Sequence, residues 1–323
     1  MIISQKARWL ITGVAGFIGS HLAEALLSLG QDVVGLDNFS TGFERNVEAA
    51  VGAAKNADFS LLRGDIRDRH VCMKACEGVD FVLHHAAFIS VPKSVTDPTE
   101  AHSHNVDGFF NMLQSAKESG VQRFVYASSS AVYGDCLKMP LREEFADTAN
   151  FLSPYAATKR INELYAAAWE KVYGFESIGL RYFNVFGPRQ DPNGPYAAVI
   201  PRWLHAFTSS LPVIIYGDGE NTRDFCYVKN VVEANILAAT TKNREATGKV
   251  YNIACGKKTT LNELYEILKR KTAPASPSAP VREDFRAGDI VHSTASVEQA
   301  GLFWGYKPSY SLEAGLDEMI KQT

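Results

Sequence analysis

Residues 13–19 read Gly-Val-Ala-Gly-Phe-Ile-Gly, and their meaning depends on what flanks them. Upstream, residues 7–11 (Ala-Arg-Trp-Leu-Ile) have the character of a buried strand. Downstream, over residues 17–29, Phe17, His21, Glu24 and Ser28 alternate with Ile18, Leu22, Ala25, Leu26 and Leu29, a helical spacing that Gly30 stops. Strand, glycine turn and helix in this order suit a dinucleotide. The glycines let the backbone turn tightly against a pyrophosphate, and the helix N-terminus offers unpaired N–H groups to the anion. Gly13, Gly16, Phe17 and Ile18 are the contacts expected there. A second strand at residues 32–36 runs into Asp37, 18 residues past Gly19. A carboxylate at that place accepts hydrogen bonds from ribose hydroxyls and repels a 2′-phosphate, so the expected cofactor is NAD rather than NADP.

The same alternation continues. Strands are expected at residues 59–62, 80–84, 123–127 and 177–182, and helices at residues 105–119 and 153–172. This is the pattern of a doubly wound parallel sheet (Rossmann) in an α/β protein, with ligands at the carboxyl ends of the strands. After about Asn184 the stretch 187–195 (Gly-Pro-Arg-Gln-Asp-Pro-Asn-Gly-Pro) is too rich in turn formers to continue the sheet. Residues 1–184 are therefore assigned to the cofactor domain, with a return of the chain at about 225–255. Residues 185–323 are assigned to a smaller C-terminal α/β substrate-binding lobe, in which residues 272–280 form an exposed loop.

A chain of 323 residues, 46% hydrophobic and 21% charged, has room for two such units. The formal charge of −3, with no basic run, gives no reason to expect nucleic acid or an anionic membrane as a partner. No apolar stretch is long enough to span a bilayer and no cleavable signal precedes the first strand, so a cytoplasmic location is expected. Cysteines 72, 76, 136, 226 and 255 form no C-x-x-C pair and read as reduced structural thiols. His84 and His85 close a strand, and His102 and His104 lie in a loop-to-helix approach. No metal site is expected.

Midway along the chain stand Tyr155 and Lys159, at i and i+4, which a helix places on one face. A free tyrosine, with a pKa near ~10, is a poor base at neutral pH. A lysine ammonium and the positive nicotinamide of NAD⁺ both favour the phenolate, so Tyr155 can take a proton from a sugar hydroxyl while hydride leaves carbon. Ser129, at a serine-rich strand end, is the expected hydrogen-bond partner of the reacting oxygen. For Ser128 a buried hydroxyl bonded to backbone is at least as good a reading as a role at the reacting oxygen.

Six segments, in order, carry a resemblance: residues 9–20, 36–42, 153–159 (Ser-Pro-Tyr-Ala-Ala-Thr-Lys), 180–201, 217–225 (Gly-Asp-Gly-Glu-Asn-Thr-Arg-Asp-Phe) and 285–290 (Phe-Arg-Ala-Gly-Asp-Ile). Throughout its length the chain resembles the extended short-chain dehydrogenase/reductases, among them the nucleotide-sugar 4-epimerases and, within those, the bacterial UDP-N-acetylglucosamine 4-epimerases. The resemblance implies that Ser129, Tyr155 and Lys159 are catalytic. It implies that Asp37, Asn38, Asp65 and Ile66 line the adenosine, and that Ala86 and Asn105 support the nicotinamide side. On the UDP-sugar side it implies Asn184, Arg223 and Arg286 at the diphosphate, where guanidinium forks suit phosphate. Ala198 and Val199 would offer backbone groups, Tyr216 would meet uracil and Asp289 the uridine ribose. Ser90, Ser129 and Ser130 would face the hexose. The residue corresponding to the family's bulky gatekeeper is Ser293, whose small side chain leaves room for an N-acetyl group.

What the resemblance implies is reversible NAD-dependent 4-epimerisation of UDP-N-acetylglucosamine and UDP-N-acetylgalactosamine, with UDP-glucose and UDP-galactose as further candidates. A UDP-glucuronate epimerase or decarboxylase remains an alternative. Ser130-Ala131 stands where the related 4,6-dehydratases carry Asp-Glu, which argues against dehydration, and a non-catalytic NAD sensor would have lost Tyr155 or Lys159. A homodimer is expected through the two helices at 105–119 and 153–172, with Phe109, Met112, Ile161, Leu164 and Ala168 on their apolar faces.

Overall fold

Trp9, Leu10 and Ile11 are all fully buried, as a strand covered on both faces requires. They lie in β1 (Arg8–Thr12) at the centre of a parallel sheet that also contains β2 (Asp32–Asp37), β3 (Phe59–Arg63), β4 (Phe81–His84), β5 (Arg123–Ser129) and β6 (Ser177–Tyr182). A seventh strand, Lys249–Ile253, adds beside β6. The order across the sheet is Lys249–Ile253, β6, β5, β4, β1, β2, β3, so the direction of winding reverses between β1 and β4. This is the doubly wound α/β arrangement, whose binding crevice opens at that reversal. The computed structural model describes residues 3, 5–52, 54, 57–192, 197–272, 279–285 and 292–322.

Successive β1 side chains point to opposite faces and so enter different cores. Trp9 and Ile11 pack with Leu22 and Leu26 of helix Phe17–Ser28 and with Val231 and Ala234 of helix Val228–Thr240. Leu10 packs with Phe109 and Met112 of helix Gly108–Glu118 and with Ala166 of helix Pro154–Tyr173. Phe109 and Met112 are 0% exposed, which corrects their expected place on a dimer face: they fill the sheet's own core, and Leu164 and Ala168 are the exposed members of that set.

The helix expected at 105–119 begins instead with a π-helical turn, Ser103–Asp107, before Gly108–Glu118. Asn105 lies in that turn, and its side chain brackets the Phe88 backbone, accepting from Phe88 N at 2.8 Å and donating to Phe88 O at 2.9 Å. His102 closes helix Pro98–His102 and His104 lies in the π turn, so neither is in a loop.

Beyond β6 the elements are short. Val185–Phe186 pairs with Cys226–Tyr227, Ile214–Tyr216 with Val281–Glu283, and Thr222–Arg223 with Thr259–Thr260. Around them a third core gathers Phe186, Trp203, Phe207, Ile215, Tyr265 and Leu268. Of the loop expected at 272–280, residues 273–278 lie outside the described residues. Among the described residues no helix is long and apolar enough to cross a membrane.

Candidate active site

Parallel registry aligns the carboxyl ends of the strands: Thr12 pairs with Leu36 and His84, and Ser129 with Tyr182. The residues that follow these ends surround a cavity of about 280 Å³, lined by Gly13, Gly16, Phe17, Ile18, Asp37, Asn38, Ile66, Ala86, Ser129, Tyr155 and Lys159, with His85 and Tyr182. The glycine turn is shaped for close approach. Gly13 has φ +72°, and a Cβ there would stand 2.8 Å from the Ala86 nitrogen; one on Gly19 would stand 2.1 Å from the Gly13 carbonyl oxygen. Gly13 and Gly19 have no room for a side chain, and the N-cap residue of the following helix, Gly16, makes no side-chain cap hydrogen bond. That cradle fits the diphosphate of a dinucleotide.

Asp37 accepts the Ala15 amide and the Phe39 amide, each at 2.8 Å. Burial pushes its carboxyl above the ordinary range, and these backbone donors oppose the rise. The Thr12 hydroxyl receives two amides, from His85 at 3.1 Å and Ala86 at 3.0 Å. Its own proton is then free to go to His84 Nδ1 at 2.9 Å, which pins the loop after β4 beneath the cavity.

Ser153 caps helix Pro154–Tyr173 by accepting the Ala156 amide at 3.2 Å, and Pro154 occupies the first helical position. Tyr155 is thereby fixed in the first turn, where its amide donates to Ser94 Oγ at 3.1 Å. Lys159, one turn on, donates from Nζ to the Ala127 carbonyl at 3.0 Å and stands 5.9 Å from the Tyr155 ring centroid. Ser129 lines the cavity with Tyr155; burial raises the phenol's pKa and the neighbouring Ser129 hydroxyl lowers it. Ser129 Oγ also accepts the Ala131 amide at 3.1 Å, which fixes the hydroxyl's position. Burial brings Lys159 down to about 8, with Glu163 pulling it upward.

Ser128 departs from its expected role. Its hydroxyl donates to Glu163 Oε1 at 2.6 Å, a side-chain carboxylate rather than backbone. Glu163 in turn holds Arg181 in a fully buried two-pronged pair, 2.8 Å on each arm. Neither residue stands out in the sequence, although Glu163 falls four residues after Lys159 on the same helical face. His85 and Tyr182, bonded at 2.8 Å, also line the cavity, and no sequence motif marks them for it.

A second cavity, of about 210 Å³, adjoins the first at Asn184 and Val185, which line both. Ala198, Val199, Tyr216 and Arg223 line it, as does Arg202, which the sequence reading overlooked. Asn184 adopts φ +33°, a left-handed conformation at the junction.

Several expected contacts lie elsewhere. Asp65 does not line the cavity, because Arg67 and the Asn38 amide hold its carboxylate. Asn105 is turned to Phe88 and Thr158 and acts on the cavity only through that loop. Ser90 caps helix Val91–Thr96 beside the cavity-lining Ile89, and Ser130 begins the 3₁₀ turn Ser130–Tyr133; neither lines a cavity. Ser293 is buried, its amide donating to the Thr222 carbonyl at 3.1 Å, so it backs the strand of Arg223 rather than lining either cavity. Arg286 and Asp289 lie outside the described residues. Among the described residues no cluster of three His, Cys, Asp or Glu side chains could hold a metal ion.

Residues 9–254 match the profile of the NAD dependent epimerase/dehydratase family. The chain belongs to this family. It is similar to the UDP-N-acetylglucosamine 4-epimerase from Methanobrevibacter ruminantium, solved in complex with UDP-N-acetylmuramic acid. That likeness has a TM-score of 0.89 and 38% identity over 98% of each chain. The putative UDP-glucose 4-epimerase of Methanocaldococcus jannaschii is 35% identical over 313 residues, 96% of each chain. The Thermus thermophilus UDP-glucose 4-epimerase, solved with NAD, matches with a TM-score of 0.83 and 33% identity, over 97% of this chain and 98% of that one. As a member of this family the protein is an NAD-dependent nucleotide-sugar epimerase acting within the extended short-chain dehydrogenase/reductase superfamily.

Proposed function

We propose that the protein interconverts UDP-N-acetylglucosamine and UDP-N-acetylgalactosamine by inverting the sugar at C4. The observation that carries this reading is that Ser129, Tyr155 and Lys159 stand together on the wall of the cofactor cavity, next to a second cavity lined by Arg202 and Arg223. Tyr155 takes the C4 hydroxyl proton, and Ser129, on the same cavity wall, orients the reacting oxygen. Lys159 lies close enough to favour the phenolate, which burial otherwise disfavours. NAD, when bound in the glycine cradle, supplies hydride acceptance from C4 and its return to the other face. The arginines suit a diphosphate that must stay fixed while the pyranose turns. Asn184, Ala198, Val199 and Tyr216 complete the nucleotide's surroundings, and Arg286 and Asp289 would close on it.

The choice of an N-acetylhexosamine rests on the likeness to the Methanobrevibacter enzyme and on the gatekeeper place that the resemblance gives to Ser293, which lies behind Arg223 and lines neither cavity. The second copy in a homodimer would bury the exposed Leu164 and Ala168. Purified protein incubated with UDP-N-acetylglucosamine, UDP-glucose and UDP-glucuronate, with products followed by NMR, tests the assignment. Fastest conversion of the first is expected; fastest conversion of the uronate would overturn it.

A further inference from the structure

Behind the Ser129–Tyr155 pair lies a carboxylate that the reaction scheme above does not use. Glu163 is 2% exposed and sits one turn beyond Lys159 on helix Pro154–Tyr173. Three side chains converge on it: Arg181 through Nε and Nη2 at 2.8 Å each, Ser128 through Oγ at 2.6 Å, and Arg160 through Nη1 at 2.9 Å. Arg181 is itself anchored, donating from Nη1 to the Glu143 carbonyl at 2.8 Å and to the Tyr133 hydroxyl at 3.0 Å. The carboxylate therefore has one position.

That position matters because of what is attached to it. Residues 127–129 end β5, and two of them are tied to the helix: Ala127 through its carbonyl to Lys159, and Ser128 through its hydroxyl to Glu163. Ser129, the third, meets Tyr155 beside those ties. Loss of either tie frees the strand end to slide along the helix, and a shift of about 1 Å between reacting groups costs on the order of 10²-fold in rate.

Charge points the same way. The titratable groups facing Lys159 are Tyr155 and Glu163 on its own helix, His84 at the end of β4 and His85 just after it. Burial holds both imidazoles neutral, His85 down to about 3. Burial alone would raise Glu163, but Arg181, Ser128 and Arg160 keep it ionised. Glu163 forms its ion pairs with Arg181 and Arg160, and from one turn away its charge also favours the buried ammonium.

We infer that Glu163, clamped by Arg181, is a positioning residue for epimerisation: it locks residues 127–129 against the helix of Tyr155 and sets a negative charge one turn from the Lys159 ammonium. This rests on the role given to Tyr155 above. Glu163→Gln keeps the size and one acceptor and removes the charge. It should lower kcat by at least about tenfold while KM for the UDP-sugar stays within about twofold. The alkaline limb of the kcat–pH profile, set by loss of the Lys159 proton, should move to lower pH. Ser128→Ala cuts only the strand tie, so it should lower kcat without moving that limb, and Ser128→Thr, which keeps the hydroxyl, should restore it. Should Glu163→Gln fail to fold with Arg181 left unpaired, Ser128→Ala decides. Unchanged kcat in Ser128→Ala, or an unmoved alkaline limb in folded Glu163→Gln, overturns the inference. Tyr155→Phe separates the two readings. Near-normal turnover in that variant removes the base itself, whereas an inactive Tyr155→Phe beside unaffected Ser128→Ala and Glu163→Gln removes only the role of Glu163.

Discussion

The Asp37 carboxylate receives the Ala15 amide at 2.8 Å, tying the end of β2 to the middle of the glycine turn. One side chain thus shapes the phosphate cradle and presents a negative charge to the cavity it lines. Asp37→Ala should weaken NAD binding by at least about tenfold, the loss of a charge-assisted hydrogen bond being worth roughly 1.5–3 kcal/mol. Calorimetric titration with NAD checks this, and an unchanged Kd would place the adenosine ribose elsewhere.

Tyr155→Phe keeps the ring, its burial and the helix cap while deleting the proton acceptor. Turnover should drop by about 10²–10⁴-fold with NAD and UDP-sugar affinities nearly intact. Steady-state kinetics with parallel ligand titrations measure both, and near-normal kcat would take the phenol out of the chemistry.

The parts of the site that were legible in the sequence are those written in local pattern. The glycine turn, Asp37 and the Tyr155/Lys159 pair each follow from spacing along one strand or helix, and all of them line the cavity. What the pattern did not show is the cross-links between distant segments. Ser128, Glu163 and Arg181 come from a strand, a helix and another strand, and only the parallel registry of β5 with β6 brings them together. Asn105 was placed in the right neighbourhood but at one remove, because a π turn rotates it toward Phe88. Phe109 and Met112 misled for a related reason: an apolar helix face reads the same whether it meets the sheet beneath it or a second subunit.

Asp224 is fully buried and accepts amides from Cys255 at 2.9 Å, Gly256 at 3.0 Å and Ala295 at 3.2 Å, joining three segments behind Arg223. Asp224→Ala leaves the Cys255, Gly256 and Ala295 amides without their acceptor and should cost roughly 1–3 kcal/mol. Burial lifts the Asp224 carboxyl to about 6, and the backbone donors restrain that rise. The unfolded value is near ~3.9. The folded chain therefore takes up this proton first, so the group's stabilising contribution grows as pH falls through about 6 and is lost as pH rises through it. Urea melts of both proteins should show a stability gap larger at pH 5 than at pH 8 by roughly 1 kcal/mol. A gap that shrinks at pH 5 would contradict the raised value.

Leu164 is 56% exposed on helix Pro154–Tyr173, beside the exposed Ala168. Leu164→Glu adds a charge to the proposed dimer face while touching no core contact. Light scattering at micromolar concentration should give a dimeric mass for the unmodified protein and a lower one for the variant. A monomer in both would rule out this interface.

Ser293 tests the sugar rather than the reaction. It is 5% exposed, with its amide bonded to Thr222 immediately before Arg223. A tyrosine there overpacks the segment behind Arg223, at a cost of about 1–3 kcal/mol, and at the gatekeeper place that the resemblance implies for this residue its ring would meet the acetamido group. UDP-N-acetylglucosamine turnover by Ser293→Tyr should fall at least about tenfold, whereas UDP-glucose, which lacks the acetamido group, should be spared or improved. Thermal melts separate this from simple loss of fold, which would lower both activities in proportion to the folded fraction. Equal losses on the two substrates in a folded variant would show that Ser293 does not discriminate between them. The N-acetylhexosamine assignment would then rest on likeness alone, while the 4-epimerase chemistry of Tyr155 and Ser129 would be untouched.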